Sequence, residues 1–253
     1  PFSSYLSFLS VLVSHLFGYQ QILAANEHSA SQGNIEYLDN TINHQYSKSF
    51  EYEEKFRNYS QEYLQASFKL DKPQNSEAPG SQAEYLSALR PLNELQIATL
   101  FSQFEKYHPL FKSCNVNQQQ GTWCHRCPKC LFVFAMLYPF INEHKLTTQI
   151  FHSNLFEDPN LVETALNLAD QERTKPFECV GTYQESTAAF YLSIKKYEKE
   201  SVSLPPVLQA IKQQVLIKYK RSKLETQAQD LLESWHKKHH LDQQLTAILQ
   251  KEL

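Results

Sequence analysis

Glycine is scarce in this chain: five residues among 253, and no glycine-rich loop of the kind that cradles nucleotide phosphates. Cationic residues are missing from the start, the first Lys or Arg being Lys48. The apolar opening PFSSYLSFLSVLVSHLFG therefore lacks the basic flank of a signal peptide. It also falls short of the roughly 20 apolar residues that a membrane span needs. A formal net charge of −3 gives no broad basic field, which argues against a nucleic-acid partner. Five cysteines, four of them clustered, leave no disulfide framework, and such usage suits a reducing cytoplasm. No internal repeat is visible. Hydrophobic residues at 42% and charged residues at 20% are ordinary for a soluble globular protein of one large or two small domains.

What the chain does hold is a run of four cysteines in CNVNQQQGTWCHRCPKC: Cys114, Cys124, Cys127 and Cys130. A Cys-x-x-Cys step lets two thiolates converge on one tetrahedral ion, and Cys114 can fold back to complete a four-sulfur shell. Ordinary buried thiols or a redox pair would leave this spacing without a purpose. The pattern predicts a closed, structural zinc site.

Along the chain, Ser3, Ser7, Ser10 and Ser14 recur at helical spacing on an otherwise apolar segment, which reads as a buried helix packed closely on a sheet. Starting on Pro1 inside such a helix, the chain reads as a fragment with something missing upstream. Gly18-Tyr19 stops the helix, and QQILAAN reads as a buried strand ending in the polar cluster Asn26, Glu27, His28 and Ser29. Helix, turn, strand and polar cluster is the pattern of an open α/β sheet, which binds ligands outside the carboxyl ends of its strands. Residues 35–48 read as a polar turn region, 49–68 as a helix, and KPQNSEAPGSQ (72–82) as a surface loop. Beyond it helices dominate: NELQIATLFSQF, an apolar helix starting at the last two cysteines, LVETALNLADQ, and three in the tail at about 183–199, 205–220 and 223–251. KPFECVG (175–181) reads as irregular. Residues 1–71 are thus expected to form an α/β portion and 83–253 a helix-rich one.

Four segments, ANEHSASQGNIEYLDNTINHQYSKSFEYE, YLSALRPLNELQIATLF, GTWCHRCPKCLFVF and KPFECVG, resemble in that order the bacterial UDP-N-acetylmuramoyl-L-alanyl-L-glutamate epimerase family. The resemblance runs from about residue 2 to about 190. It implies an enzyme of peptidoglycan synthesis that uses ATP and Mg2+ to convert the terminal L-glutamate of a UDP-linked muramoyl dipeptide to D-glutamate. It also implies that residues 1–71 are the carboxyl-terminal part of a PP-loop ATP pyrophosphatase-like domain. The chain departs from that pattern in lacking the glycine-rich Ser/Lys/Asp loop, so as it stands it is not expected to turn over. The four-cysteine arrangement is also similar to that of 7-cyano-7-deazaguanine synthase, another PP-loop enzyme that adenylates a carboxylate. Another adenylating ligase, or a non-catalytic zinc module, remains an alternative.

Individual residues carry competing readings. Cys179, the cysteine outside the cluster, and Glu178 beside it are acid/base candidates; the plain alternatives are a small buried hydrophobe and a solvated carboxylate. Lys175 is a nearby cation for that thiol. Asn26, Glu27, Ser29 and Asn34 at the strand end are candidates of which some are expected to touch a ligand, and His44, Gln45, Ser47 and Lys48 offer donors and one cation to a phosphate or carboxylate, against a solvated turn. Arg90 and Glu94 form a helix-start ion pair or a substrate clamp. Arg126 and Lys129, with His125, project from the metal loop. His236, His239 and His240 read as a polar helix face.

Overall fold

A computed structural model of the chain describes residues 2–33, 35–64 and 83–253. Asn34 and the 72–82 loop lie outside the described residues. The chain divides into two compact units, Pro1–Leu92 with Trp235–Glu252, and Asn93–Ser234.

The first unit is built on a parallel strand pair. Strand β1 (Gln21–Ala24) is the strand expected in QQILAAN, but it is not the buried one expected: its residues alternate between exposed and half-buried, and Leu23 is 52% exposed. The hairpin β2 (Ile35–Tyr37) and β3 (Asn40–Ile42) follows, and the partner of β1 is β4 (Glu84–Ser87), in register Gln21 to Glu84 through Ala24 to Ser87. The β2–β3 turn holds Leu38 and Asp39 at φ +48° and +59°, the paired left-handed conformation of a two-residue hairpin loop. Neither the hairpin, in a region read as turns, nor β4, in a portion read as helical, was expected. Both are only a few residues long, and β4 is buried from Tyr85 to Ser87, so no alternation marks it.

Helix α1 (Phe2–Phe17) ends where Gly18 takes φ +73° and the Tyr19 N–H reaches back to the Ser14 carbonyl, a glycine-closed helix end. Its buried residues are Ser7, Val11 and Ser14, and the Ser7 hydroxyl bonds the Ser3 carbonyl and faces the Tyr85 hydroxyl of β4. The close-packing serine stripe is present, but the large side chains point away from it: Phe2 is 74% and Phe17 70% exposed. The expectation of a helix buried on every side is therefore corrected. Helix α2 (Phe50–Tyr59) starts at Ser49, whose hydroxyl accepts from the Tyr52 N–H, and it continues as one wide turn over Ser60–Leu64. Phe56 packs edge-on against Tyr85 and Phe8.

The second unit carries the main core. Helix α3 (Glu94–Ser102) leads toward the cysteine loop. Helix α4 (Pro128–Leu137) starts with Pro at its first position, where the missing N–H costs nothing. Every residue from Cys130 to Leu137 is buried, so an apolar sequence without an amphipathic period here does mark a core helix. Helices α5 (Val162–Ala169) and α6 (Tyr183–Glu200) pack on it, α7 (Pro206–Gln214) packs on α5 and α6, and α8 (Arg221–Glu233) on α6 and α3. Phe134 sits edge-on to both Phe151 and Phe156.

The long tail helix expected over 223–251 is broken. Helix α8 ends at Glu233, residues 234–242 are not helical, and α9 spans Gln243–Glu252. The helix expected over 205–220 likewise stops at Gln214 before a tight turn at Leu216–Lys218. No helix among the described residues is long and apolar enough to cross a membrane.

Candidate functional site

The four cysteine sulfurs converge as the spacing requires: all lie within 4.8 Å of one another. Cys127 and Cys130 are 3.4 Å apart, and Cys124 and Cys130 3.7 Å. A tetrahedral shell with metal–sulfur bonds of about 2.3 Å spaces its sulfurs by about 3.8 Å, so the donor set fits an ion such as zinc. Backbone N–H groups of Asn117 and Cys124 point at the Cys114 sulfur, as suits a thiolate. Left to themselves the thiols share protons. Cys127 is pulled down to about 5 by the hydrogen bond with Cys130, and Cys130 is pushed up by the same bond. A bound cation resolves that conflict by taking all four as thiolates.

The loop is tied to the helical core at two points. Cys127 is the residue before α4 and Cys130 lies in its first turn, so an ion held by the cysteines would fix that turn. Trp123, 4% exposed, packs its ring against Phe151 and Phe111. His125 holds φ +62° at the tip.

The KPFECVG segment comes to the same place. The Glu178 carboxylate accepts from the Lys129 N–H at 3.1 Å and from the Asn115 side chain at 3.3 Å, so it closes the first turn of α4. Burial, then the neighbouring Cys127, raises its carboxyl above the usual range. Cys179 follows it, half-buried. Gly181 packs so tightly on Phe132 of α4 that an added Cβ would lie 2.9 Å from its ring and 2.6 Å from a Glu185 oxygen. Arg126 is exposed on the rim, and the Lys129 ammonium lies over the Phe132 ring.

Sequence reasoning missed Glu185. It is 1% exposed, and its two oxygens accept from the Thr182 N–H at 2.6 Å and the Glu94 N–H at 2.8 Å. One carboxylate thus caps the amino ends of both α6 and α3. The signal was present as Thr182-x-x-Glu185, a capping box. Lys175 donates to the Gly181 carbonyl, lies over the Tyr183 ring, and faces Glu185 and Glu94. Burial lowers its ammonium below the ordinary lysine value.

In the first unit the strand-end residues gather around Arg90. The ion pair considered with Glu94 is made instead with Glu53: both side chains are 1% exposed, with oxygen and nitrogen 3.1 Å apart. Arg90 also donates to the carbonyls of Glu27 and Lys48 and to the Ser87 hydroxyl, and Glu53 accepts from the Ser87 N–H. The guanidinium is spent on backbone, which makes Arg90 the tie of this region. Asn26 bonds the Ser87 hydroxyl, and the Gln45 N–H bonds Asn43. Gln45 and Ser47 are buried, and His44 and Lys48 half-buried. Ser29 is 6% exposed, and its hydroxyl has no hydrogen-bond partner among the described residues.

Fold and site together define a helix-rich α/β protein with four cysteines clustered at metal-binding distance. Residues 1–70 match the family model of the MurL N-terminal domain, and residues 110–226 that of the MurL C-terminal domain. Among relatives named UDP-N-acetyl-alpha-D-muramoyl-L-alanyl-L-glutamate epimerase, that of Xanthomonas oryzae pv. oryzae is 34% identical over 204 residues, 78% of this chain and 42% of the relative. That of Salinispora tropica is 34% identical over 196 residues, 76% of this chain and 39% of the relative. The chain belongs to this epimerase family. It spans about two fifths of the length of these relatives. No solved structure matches it.

Proposed function

We propose that the protein carrying this chain inverts the terminal L-glutamate of UDP-N-acetylmuramoyl-L-alanyl-L-glutamate to D-glutamate, using ATP and Mg2+, in the cytoplasm, as a step of peptidoglycan synthesis. What supports this reading is the ordered match of two stretches of the chain to both domains of one epimerase family. In the proposed course a substrate carboxylate oxygen attacks the α-phosphorus of ATP and pyrophosphate leaves. An ionised carboxylate resists the charge that builds when the α-proton departs. As an acyl-adenylate its carbonyl accepts that charge, one group takes the proton and another returns one to the opposite face. Water then releases AMP and the D-glutamate product.

Cys179 and Glu178 are proposed for the two proton transfers. Glu178 is a half-buried carboxyl held above its usual range, as a proton carrier near neutral pH requires. Lys175, Glu94, Arg126 and Lys129 are proposed to contact the substrate. Asn26, Glu27, Ser29, Asn34, His44, Gln45, Ser47 and Lys48 are proposed to contact ATP in a PP-loop-like unit, with Arg90 positioning their loops. A zinc ion at the four cysteines is proposed as structural, because four thiolates leave it no open position.

The test supplies the full-length protein that carries this chain with ATP, Mg2+ and the muramoyl dipeptide in deuterated water. The expected result is AMP, pyrophosphate and a D-glutamate product carrying deuterium at its α-carbon. Product formed without ATP consumption rejects the adenylate. ATP consumption only with a nucleobase carboxylic acid favours the ligase reading instead. Cys179→Ala is expected to stop inversion while pyrophosphate release continues; loss of both moves Cys179 to binding or folding.

A further inference from the structure

The segment between α8 and α9 lies outside both stretches matched by the family. It carries His236, His239 and His240 and belongs to the first unit. The three histidines do not form the helix face expected of them, because the segment is not helical. The His236 N–H donates to the Pro91 carbonyl at 3.0 Å. Its imidazole lies flat on that of His28, with ring centroids 3.3 Å apart and planes 2° from parallel. His240 stacks on Phe50 at the start of α2 with centroids 5.1 Å apart, and Trp235 meets His239 edge-on. Asp242 accepts from the Gln21 side chain at 3.4 Å. His28 lies just past the carboxyl end of β1, and Pro91 just past that of β4. The segment therefore starts at the carboxyl ends of β1 and β4, the side of an open α/β sheet where ligands bind, and its Asp242 end reaches back to Gln21 at the amino end of β1.

We propose that Trp235–Asp242 is a histidine latch, a strap anchored by His236 at the carboxyl ends of β1 and β4, held while its imidazoles are neutral and loosened by acid. Two imidazoles in face-to-face contact cannot both carry a proton without setting like charges against each other. The surroundings do not relieve this. His28 is lowered from 6.5 to about 4 by burial first, then by His236 and the Arg90 guanidinium. Burial lowers His236. It also lowers His239, against an opposing pull from Glu53. His240 is lowered by burial, then by Arg57, with Glu53 and Glu54 opposing and His239 adding. Glu53 is already bound to Arg90, which limits what it can return to the histidines.

The sign follows from these directions. Each group is harder to protonate when the strap is docked than when it is free, so docking is at full strength above the free histidine value near 6.5. It weakens as pH falls from there toward about 4, the docked value of His28. His28 is only half-buried, so solvent screening trims the effect. A loosening of roughly tenfold or more is expected between about pH 7.5 and about pH 5.

Hydrogen exchange of the whole chain at those two pH values, corrected for the intrinsic rates, reads the strap directly. Protection in 235–242 should fall roughly tenfold at the lower pH, while the α6 interior is unchanged. His236→Phe keeps a flat ring on His28 but takes no proton, and it should stay more protected than the parent at low pH; His28→Phe is the matching second variant. Equal protection at both pH values overturns the latch. So does a parallel loss in α6, which is general acid unfolding, or loosening of both Phe variants to the parent's extent. None of these outcomes depends on whether ATP binds the first unit.

Discussion

Arg90 shows how a single side chain can decide a region. It is buried against Glu53, the carbonyls of Glu27 and Lys48 and the Ser87 hydroxyl. Removing one partner of such a pair strands the other, at a cost of about 3–5 kcal/mol. Arg90→Ala should therefore lower the stability of the first unit by that order in urea unfolding. The double change Arg90→Met with Glu53→Leu should recover much of the loss, because no charge is left buried. A double variant as unstable as the single one would show that the backbone bonds, and not the ion pair, dominate. In the metal loop, Cys127→Ser removes a ligand that also precedes the first turn of α4. It should unfold the loop before any effect on chemistry can be measured, with metal content per chain and circular dichroism falling together.

At the level of elements, Gly181 is fixed by what surrounds it. A Cβ there would press on the Phe132 ring and on the Glu185 carboxylate that caps α3 and α6. Gly181→Ala should cost about 1–3 kcal/mol as overpacking and reduce thermal stability. An unchanged Tm would mean that Phe132 swings clear. The KPFECVG motif owes this much to packing. Elements defined by local chemistry were legible in the sequence: the α1 stop at Gly18, the start of α4 at the cysteines, and α6, expected over about 183–199 and found over Tyr183–Glu200. Those settled by distant partners were not. Strand β4 is four residues long and acquires its meaning only by pairing with β1. Helix α1 was read correctly as a helix and wrongly as buried all round, because composition shows that a face is apolar but not whether anything covers it. The cysteine centre was legible because its spacing is local. The partners of Arg90 and Glu185 were not, since both lie dozens of residues away.

For the molecule as a whole, the cysteine loop and the larger core are one structure, since Trp123 belongs to both. Stripping the ion with a strong chelator should shift Trp123 emission to the red and broaden the unfolding of the second unit, and restored zinc should reverse both. Unchanged emission in metal-free protein would make the cysteines dispensable to the fold. Arg90 carries a further consequence, one of timing. Its bonds reach back 63 residues to the Glu27 carbonyl and 42 to that of Lys48, and loops that long are slow to close. The strand-end loops are tied by a side chain that is made after them. On the ribosome they wait, fully synthesised and without their tie, until the segment after β4 emerges and folds back.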